Sequence, residues 1–446
     1  MFNKILIANR GEIAVRIIRS AKEMGIKTVA LYSEIDKESI HVQMADEAYC
    51  IGENYPHKSY LNLDKIKEAI LNTKCDAVHP GYGFLSENPH FAKLCEELDV
   101  KFIGPESSIM NKLSNKFAVK KILMDSDIPV IPGSKNIITT ESELHEGVKQ
   151  LGFPFLIKAA FGGGGRGIKL IDKQEEILKA FHSAKKEALV AFGKDEVYIE
   201  KVVPSPRHIE VQIVADNYGN IITLGERDCS LQRRHQKILE ESLSPVLNCS
   251  QRKTLYNLSQ KITEILNYKG VGTLEFLYDG KNFYFMEINK RIQVEHPLTE
   301  VLFNVDLIKE QIKIAANEKL SVKEPKVENS LHSIECRINA ENPFNFMPSP
   351  GTITKLYIPG GNNVRVDTAV QCGAIVPPYY DSLIAKVIAF DSTREGARKK
   401  MLRALDEFIV EGIETTVEFH KRILSSDDFI NGNYDVNYLD RNTQYN

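Results

Sequence analysis

A ten-residue segment, Glu287–His296, contains residue types that could bind a metal ion and an anion side by side. Polar residues alternate with apolar ones along it, so in an extended chain every second side chain would share one face. This face would carry Glu287, Asn289, Arg291, Gln293 and Glu295. A half-buried strand with a solvated face is the common meaning of such alternation. Two carboxylates, two amides and a guanidinium can, however, hold a hard divalent cation next to an oxyanion.

A second carboxylate-bearing strand precedes this segment. Thr273–Tyr278 and Phe283–Ile288 are both β-prone, and the Asp-Gly dipeptide between them is a turn signal. The two strands therefore predict a hairpin in which Glu275 lies roughly opposite Glu287. One carboxylate from each strand would then contribute to a site for a divalent cation.

A glycine-rich loop is a further candidate site. Lys158–Gly167 contains five glycines and two basic residues, and it joins a strand that ends at Lys158 to one that starts at Ile168. The backbone N–H groups of such a loop can bind phosphate oxygens. A Walker A loop would continue into a helix, whereas Ile168–Ile171 is β-prone, so we expect a mobile hairpin flap. A flexible linker is the alternative, but linkers seldom have charged, β-prone flanks.

Arg227–Lys237 is rich in basic side chains, a pattern that most often means a solvated face. Two glutamines, Gln232 and Gln236, are interleaved, and Glu240 and Glu241 follow at once. This mixture disfavours nucleic-acid binding and favours a polar catalytic loop.

Composition excludes several classes of protein. The chain has 446 residues, 43% of them hydrophobic and 26% charged, with a net charge of −3, so it lacks the basic field of a nucleic-acid-binding protein. Its seven cysteines include no C-x-x-C pair, which disfavours a disulfide framework or a zinc site and favours a cytoplasmic location. No apolar run approaches the length of a membrane span. We therefore expect a multidomain cytoplasmic protein that binds neither nucleic acid nor membrane.

Several strands and helices are needed to position these side chains. A strand at Lys4–Ala8, a helix that stops at Gly25 and a strand at Lys27–Leu31 predict a doubly wound start. Mixed strands and helices follow, and short strands dominate after the charged stretch Ser321–Ser330, before a helix at Arg394–Phe408. The sequence thus predicts an α/β N-terminal domain, a large α+β central domain and a smaller, mainly β C-terminal domain.

Five blocks of sequence, in order, closely resemble the biotin carboxylase family, which has relatives in acetyl-CoA, propionyl-CoA and pyruvate carboxylases. The blocks are Ile7–Ala14, His79–Asn88, Gly225–Ser230, Arg291–Pro297 and Glu335–Glu341. The resemblance extends from the N-terminus nearly to the last residue. It implies a doubly wound domain over 1–114, an ATP-grasp domain over 115–325 with a mobile lid near 131–203, and a C-terminal domain over 330–446.

The resemblance implies an ATP-dependent carbon–nitrogen ligase of fatty acid biosynthesis. Such an enzyme forms carboxyphosphate from ATP and bicarbonate, and then carboxylates biotin, giving ADP, phosphate and carboxybiotin. Glu295 would remove the bicarbonate proton, and Arg337 would stabilise the enolate-like oxygen of biotin. The implied catalytic residues are Glu295, Arg337, Arg291 and Lys237.

Binding residues are also implied by the resemblance. ATP would contact Lys116, Lys158, Gly163, Gly164, Gly165, Glu200, Lys201, Val203, His208, Gln232 and His235. Mg²⁺ or Mn²⁺ would be held by Glu275, Glu287 and Asn289. Bicarbonate would be held by Lys237, Arg291, Gln293, Val294 and Glu295, and biotin by Tyr82, Gly83 and Arg337.

Partner proteins are expected as well. The chain has no Ala/Val-Met-Lys-Met biotinylation sequence, so biotin should arrive on a biotin carboxyl carrier protein, with carboxyltransferase subunits as further partners. The resemblance implies a homodimer with Arg16 and Arg19 near its interface. Two alternatives stay open. The chain could be an ATP-grasp enzyme that makes another acyl phosphate, or a catalytically weakened nucleotide-binding paralogue that regulates a carboxylase complex.

Three positions depart from the family pattern. In Leu113–Lys116, Leu-Ser stands where the family usually has Met-Gly, two positions before the lysine. Glu241–Leu243 is Glu-Ser-Leu in place of Glu-Ala-Pro, and Lys290 replaces a small residue. In an extended segment, Lys290 would project away from the anion site with Ile288 and Ile292. We then expect its alkyl stem on apolar surface and its ammonium in water or on a carboxylate.

Overall fold

A five-stranded parallel sheet forms the N-terminal part of the chain. The computed structural model describes residues 1–161, 168–324 and 331–442. The first strands are β1 (Lys4–Ile7), β2 (Lys27–Tyr32), β3 (Glu47–Cys50), β4 (Ala77–His79) and β5 (Lys101–Phe102). The helices of this part are α1 (Gly11–Glu23), α2 (Ile40–Met44), α3 (Leu63–Thr73), α4 (Pro89–Glu97) and α5 (Ser107–Ser114). The spatial order β3-β2-β1-β4-β5 confirms the predicted doubly wound arrangement.

Helix α1 packs on this sheet through a buried stripe. Ile13, Ile17 and Ala21 recur at helical spacing and are buried, so their apolar surface holds the helix against the strands. The helix ends before Gly25, whose φ of +72° favours glycine. The strand order reverses between β1 and β4, and Tyr82 follows β4 at this edge, where doubly wound sheets bind ligands.

The central part begins with helices and a three-stranded antiparallel sheet. Its elements are α6 (Lys116–Met124), α7 (Glu141–Leu151), β6 (Phe155–Ala159), β7 (Ile168–Ile171), α8 (Ile177–Phe192) and β8 (Val197–Lys201). The sheet has the order β7-β6-β8, and Lys158 pairs with Ile168 across it. The strands that flank the glycine-rich segment therefore form the predicted hairpin. Gly163, Gly164 and Gly165 lie outside the described residues.

An eight-stranded antiparallel sheet joins the central part to the C-terminal part. Its strands are β9 (Arg207–Ala215), β10 (Ile221–Arg233), β11 (Gln236–Ser242), β12 (Gly270–Tyr278), β13 (Phe283–Asn289), β14 (His332–Asn339), β17 (Val364–Thr368) and β19 (Leu383–Asp391). They are ordered β13-β12-β9-β10-β11-β14-β19-β17. Polar residues far apart in sequence are thereby brought onto neighbouring strands.

Helices cover this sheet, and short strands complete the C-terminal part. The helices are α9 (Cys249–Leu266), α10 (His296–Phe303), α11 (Leu307–Ala315), α12 (Arg394–Glu407), α13 (Val417–Leu424), α14 (Asp427–Ile430) and α15 (Tyr438–Arg441). The short strands are β15 (Gly351–Thr352), β16 (Lys355–Tyr357), β18 (Ile375–Val376) and β20 (Ile409–Glu411). Within the described ranges, none of the helices combines the length and the apolar character needed to span a bilayer.

Candidate active site

The predicted hairpin of β12 and β13 brings the candidate metal ligands together. Glu275 pairs with Glu287 across the two strands, and the Asn289 amide donates a hydrogen bond of 2.9 Å to Glu275 Oε1. Carboxylate and amide oxygens in one hairpin suit Mg²⁺ or Mn²⁺, which prefer oxygen ligands. Glu275 also lies beside His208 and Glu210, and one potential ligand atom from each of these three lies within 4.8 Å of the others. The residues present therefore fit a divalent cation.

The chain leaves the extended conformation after Asn289, so the prediction of one continuous face up to Glu295 is wrong. Strand β13 ends at Asn289, and Glu295, with φ −81° and ψ 11°, immediately precedes α10. Pro297 lies in the first turn of that helix, where its fixed φ favours a helical start. The chain must therefore turn between the strand and the helix. The turn nevertheless directs Gln293 and Glu295 to the ammonium of Lys237.

The ammonium of Lys237 is the centre of the site. Its Nζ lies within hydrogen-bonding distance of Glu210 (2.6 Å), Glu275 (2.9 Å), Gln293 (3.1 Å) and Glu295 (2.7 Å). Burial alone would lower the pKa of this ammonium, but the negative charges of the three glutamates raise it well above its ordinary value. Lys237 is therefore a fixed cation that connects strands β9 and β12 to the turn before α10.

Glu295 is a buried carboxylate between two cations. It accepts hydrogen bonds from Lys237 Nζ at 2.7 Å and from Arg337 Nη2 at 2.9 Å. Burial would raise the pKa of Glu295, but the charges of Lys237, Arg337 and Arg227 lower it below its ordinary value. The carboxylate is therefore ionised and a weak base in this arrangement. It must exchange at least one cation for a substrate before it can accept a proton.

Arg337 connects strand β14 to this centre and to the N-terminal part. Its Nε donates to Glu240 Oε1 at 2.6 Å. Burial and the neighbouring Glu12 raise the pKa of Tyr82 well above its ordinary value, whereas the charge of Arg337 opposes this rise. Gly83, with φ +70°, follows Tyr82. The predicted biotin-binding residues, from distant parts of the chain, therefore lie within electrostatic range of one another.

Three lysines with carboxylate partners line the predicted phosphate side of the site. Lys116 contacts Glu287, whereas Lys120 and Lys158 bind the two oxygens of Glu200 at 2.7 and 2.9 Å. Burial would raise the pKa of Glu200, but the charges of the two lysines lower it. Sequence reasoning missed Lys120. The available signal was its position four residues after Lys116, because this spacing puts both side chains on one face of α6.

Of the remaining side chains predicted to bind the nucleotide, two lie together in the site and one lies apart from them. His208 and Gln232 meet at 2.7 Å between Nδ1 and Nε2, and His208 Nε2 lies 3.2 Å from Glu275 Oε2. These residues therefore belong to the same cluster as the candidate metal ligands. His235 is instead exposed, in the turn between β10 and β11, with a φ of +65°.

The segment Glu200–Val203 is expected to present its backbone to adenine. The Lys201 N–H donates to the Pro132 carbonyl at 2.7 Å, and the Lys201 ammonium donates to the Leu151 carbonyl at 3.0 Å. Both groups of Lys201 are thus engaged within the protein. Adenine recognition by this segment stays a prediction.

Glu210 is a central residue that sequence reasoning missed. It is fully buried on β9 and contacts Lys237 at 2.6 Å and Arg227 Nε at 2.5 Å. The available signal was the alternation of His208, Glu210 and Gln212 with apolar residues, which places three polar side chains on one face of the strand.

Lys290 is buried, so the prediction of a solvated or carboxylate-bound ammonium is wrong. Its exposed fraction is 6%, and its Nζ donates to Ser114 Oγ at 3.2 Å. Burial lowers the pKa of this ammonium below its ordinary value, although the charges of Glu87 and Glu287 oppose the change. The turn after Asn289 carries Lys290 into the protein instead of along an extended surface.

Two buried carboxylates lie behind Arg337 on neighbouring strands. Glu240 of β11 pairs with Glu335 of β14, and both are fully buried. In the part of the chain that the structure describes, neither oxygen of Glu335 has a hydrogen-bond partner. Burial raises the pKa of Glu240 to about 7, although the charge of Arg337 opposes the rise, and burial raises the pKa of Glu335 well above its ordinary value. The pair therefore retains protons where exposed carboxylates are ionised.

This carboxylate pair predicts that stability falls as pH rises. Above the ordinary pKa of 4.5 and up to about 7, the folded protein keeps a proton on Glu240 that the unfolded chain releases. The stability from this group is fully present below the ordinary pKa and is lost as pH rises through about 7. We expect the free energy of unfolding, measured with urea, to decrease by on the order of 1–3 kcal/mol from about pH 5 to about pH 8.

Two glutamine variants test the assignment to Glu240. Glu240→Gln should remove part of the slope, because glutamine does not titrate, whereas Glu335 keeps its own raised pKa. Glu241→Gln is the matched control, since hydrogen bonding from His332 and the charge of Arg394 outweigh burial and lower the pKa of Glu241 to about 2. Equal loss of slope in both variants would contradict the assignment.

Three known domain families match successive parts of the chain. The biotin carboxylase N-terminal domain matches residues 1–110. The ATP-binding domain of the carbamoyl-phosphate synthase L chain matches residues 115–323. The biotin carboxylase C-terminal domain matches residues 335–441.

Similar proteins share nearly the whole length. Biotin carboxylase 1 of Bacillus subtilis (strain 168) is 51% identical over 443 residues, which are 99% of this chain and 98% of that protein. A biotin carboxylase–β-γ-ATP complex from Campylobacter jejuni has a TM-score of 0.95 and 44% identity, with 99% of each chain covered. The biotin carboxylase domain dimer of the Hydrogenobacter thermophilus 2-oxoglutarate carboxylase, with MgADP and bicarbonate, has a TM-score of 0.94 and 45% identity, covering 99% of this chain and 97% of that chain.

Proposed function

Because the chain belongs to the biotin carboxylase family, we propose that it carboxylates biotin with ATP and bicarbonate, giving ADP, phosphate and carboxybiotin. The observation that carries this proposal is the set of contacts made by Lys237. Its partly buried ammonium connects Glu275 of the candidate metal-binding hairpin to Glu295, which also contacts Arg337. A candidate metal site, a candidate base and an arginine for biotin therefore form one hydrogen-bonded group.

The nucleotide would bind between the hairpin and the lysines. Glu275, Glu287 and Asn289 would hold Mg²⁺ or Mn²⁺, which supplies positive charge to the phosphate oxygens of ATP. Lys116 and Lys158, both paired with glutamates here, would exchange these partners for phosphate oxygens, because an ammonium binds either anion. The remaining proposed nucleotide contacts are Gly163, Gly164, Gly165, Glu200, Lys201, Val203, His208, Gln232 and His235.

Bicarbonate would bind where Lys237 and Glu295 now contact each other. Its negative charge would compete with Glu295 for the ammonium, and loss of that cation would raise the pKa of Glu295. Glu295 would then take the bicarbonate proton, and the resulting oxyanion would attack the γ-phosphate to form carboxyphosphate. Binding of bicarbonate would thus itself raise the low pKa of Glu295 and make this carboxylate a stronger base.

Neighbouring groups would complete the anion site. Arg291 Nε lies 3.5 Å from Glu87 Oε2, which holds the guanidinium near the turn, and Gln293 lies in the same turn. The Val294 N–H shares its peptide unit with the Gln293 carbonyl, which lies 2.7 Å from His296 Nδ1, and Lys386 Nζ donates to the Val294 carbonyl at 2.9 Å. These bonds fix the peptide units on both sides of Val294. A fixed guanidinium, amide and backbone N–H can bind an anion without rearrangement during the reaction.

Biotin would bind between Arg337 and the Tyr82-Gly83 dipeptide. Carboxyphosphate would release carbon dioxide and phosphate in the closed site, and phosphate would accept the ureido proton of biotin. Arg337 would stabilise the negative oxygen that this deprotonation creates. The ureido nitrogen would then attack carbon dioxide to form carboxybiotin.

Partners belong to the same proposal. Relatives occur as subunits or domains of larger carboxylases, and one solved structure is a dimer. We propose a biotin carboxyl carrier protein, carboxyltransferase subunits and a homodimer. Within the chain, Arg16 contacts Glu300 at 2.8 Å, and Arg19 is exposed. A cytoplasmic location, supported by seven free cysteines, and the domain limits 1–114, 115–325 and 330–446 complete the proposal.

Free biotin is expected to increase bicarbonate-dependent ADP formation, because the proposed sites for all three substrates lie together. The increase should be small, since a carrier protein normally adds binding energy and raises the effective concentration of biotin. Coupled detection of ADP with and without bicarbonate, and with and without biotin, measures the effect. Equal ADP release with and without biotin would favour another acyl-phosphate-forming enzyme, and absence of turnover with retained ADP binding would favour the weakened paralogue.

A further inference from the structure

Two departures from the family pattern, Ser114 and Lys290, contact each other. They are separated by 176 positions in sequence, yet Lys290 Nζ donates to Ser114 Oγ at 3.2 Å. Ser114 is the last residue of α5. Among the described residues, its hydroxyl accepts the hydrogen bond of the Lys290 ammonium. The Ser114 hydroxyl itself donates to the Met110 carbonyl at 2.7 Å, which leaves its oxygen free to accept from Lys290. A glycine at that position would have no hydroxyl and would remove this partner of the buried ammonium.

The pair lies at the junction of the metal-binding and phosphate-binding sides of the site. Ser114 precedes Lys116 by two residues, and Lys116 contacts Glu287. On the other side, the Lys290 N–H donates to Glu87 Oε1 at 3.2 Å, and the Lys290 ammonium interacts electrostatically with Glu87, Glu287 and Lys116. The chain thus carries a buried cation within electrostatic range of Glu87 and Glu287, and the hydroxyl that holds this cation is uncharged.

We propose that Lys290, held in place by Ser114, is a positioning residue that strengthens metal-free nucleotide binding and weakens binding of the divalent cation at Glu287. This inference rests on the proposed function. A fixed positive charge attracts the phosphate groups of a nucleotide and repels a cation, and both effects are large where water is excluded. Lys116 already supplies one such charge but is in direct contact with Glu287, whereas Glu87 and Glu287 offset the charge of Lys290 only at longer range.

The signature of this role is a pair of opposite changes in binding. Isothermal titration of the full chain would measure the Kd of ADP in chelator, and the Mg²⁺ concentration needed for half-saturation in the presence of ADP. For Lys290→Met, which keeps the length of the side chain without its charge, we expect the metal-free Kd of ADP to rise about fivefold. The Mg²⁺ requirement should fall by about threefold.

Further variants separate charge from packing. Lys290→Arg should retain both parental constants more closely than Lys290→Met, and Ser114→Gly should shift both constants in the same directions as Lys290→Met but less. If Lys290→Met fails to fold, as judged by its thermal unfolding, the Ser114→Gly and Lys290→Arg measurements decide. The proposal would be overturned if Lys290→Met weakened the binding of both ADP and Mg²⁺, or if it changed neither constant. These experiments contain no biotin or bicarbonate, so failure of biotin carboxylation would not change their outcome.

Discussion

Glu295→Gln is expected to reduce both bicarbonate-dependent ADP formation and carboxybiotin formation by on the order of a thousandfold. Glutamine keeps the size of the side chain and can still accept hydrogen bonds from Lys237 and Arg337, but it cannot take a proton. The loss should affect both products equally, because carboxyphosphate formation precedes every later step. Parallel assays of ADP and carboxybiotin over a range of bicarbonate concentrations would measure it.

A neighbouring glutamate provides the matched control. Glu240 is as deeply buried as Glu295 and contacts the same arginine, Arg337. Among the described residues, however, the hydrogen bonds of the Lys237 ammonium go to Glu210, Glu275, Gln293 and Glu295 and not to Glu240. Glu240→Gln should therefore lose much less activity than Glu295→Gln. ADP binding, measured by titration, should survive in both variants. Parental ADP formation by Glu295→Gln would exclude this residue as the base.

Local patterns predicted correctly the pairing of the two strands that carry the candidate metal ligands. Glu275 and Glu287 were placed opposite each other from two β-prone runs and a tight turn, and the strands pair in that register. Antiparallel strands joined by a short turn leave little freedom of register. The flanks of the glycine-rich segment pair for the same reason. The relative positions of side chains on two strands that follow each other in the chain can therefore be predicted from the sequence.

The anion side could not be derived in the same way. Alternating polarity beyond Asn289 imitates a strand, but the helix that begins near Pro297 forces a turn, and this tertiary constraint overrides the alternation. The burial of Lys290 follows from that turn. Periodicity describes the preference of a segment, and here packing against α5 decides the outcome.

Long-range strand pairing was also beyond sequence reasoning. Glu240 and Glu335 are neighbours because β11 pairs with β14, although nearly a hundred residues separate them in the chain. Nothing in either segment alone specifies that register, since both strands are buried and lack a tight connecting turn. The raised pKa of Glu240 and its contact with Arg337 follow from this pairing.

Arg337→Ala is expected to separate the two products that Glu295→Gln loses together. Carboxybiotin formation should fall by about a hundredfold or more, because the negative oxygen of biotin loses its charge partner. Bicarbonate-dependent ADP formation should fall by less than about tenfold, because carboxyphosphate forms before Arg337 acts on biotin. Both products would be followed in the same reaction mixture.

The contacts of Arg337 decide how this experiment must be controlled. The same guanidinium holds Glu240 and Glu295, and removing one partner of a buried ion pair costs about 3–5 kcal/mol. Thermal unfolding must therefore show that the variant is folded, and Arg337→Lys should recover stability more fully than carboxybiotin formation, because lysine lacks the planar fork of arginine.

Loss of the charge that lowers the pKa of Glu295 should also move the rising limb of the pH profile for ADP formation to higher pH. If ADP and carboxybiotin fall by the same factor in a folded variant, Arg337 acts by positioning Glu295 and not by stabilising biotin.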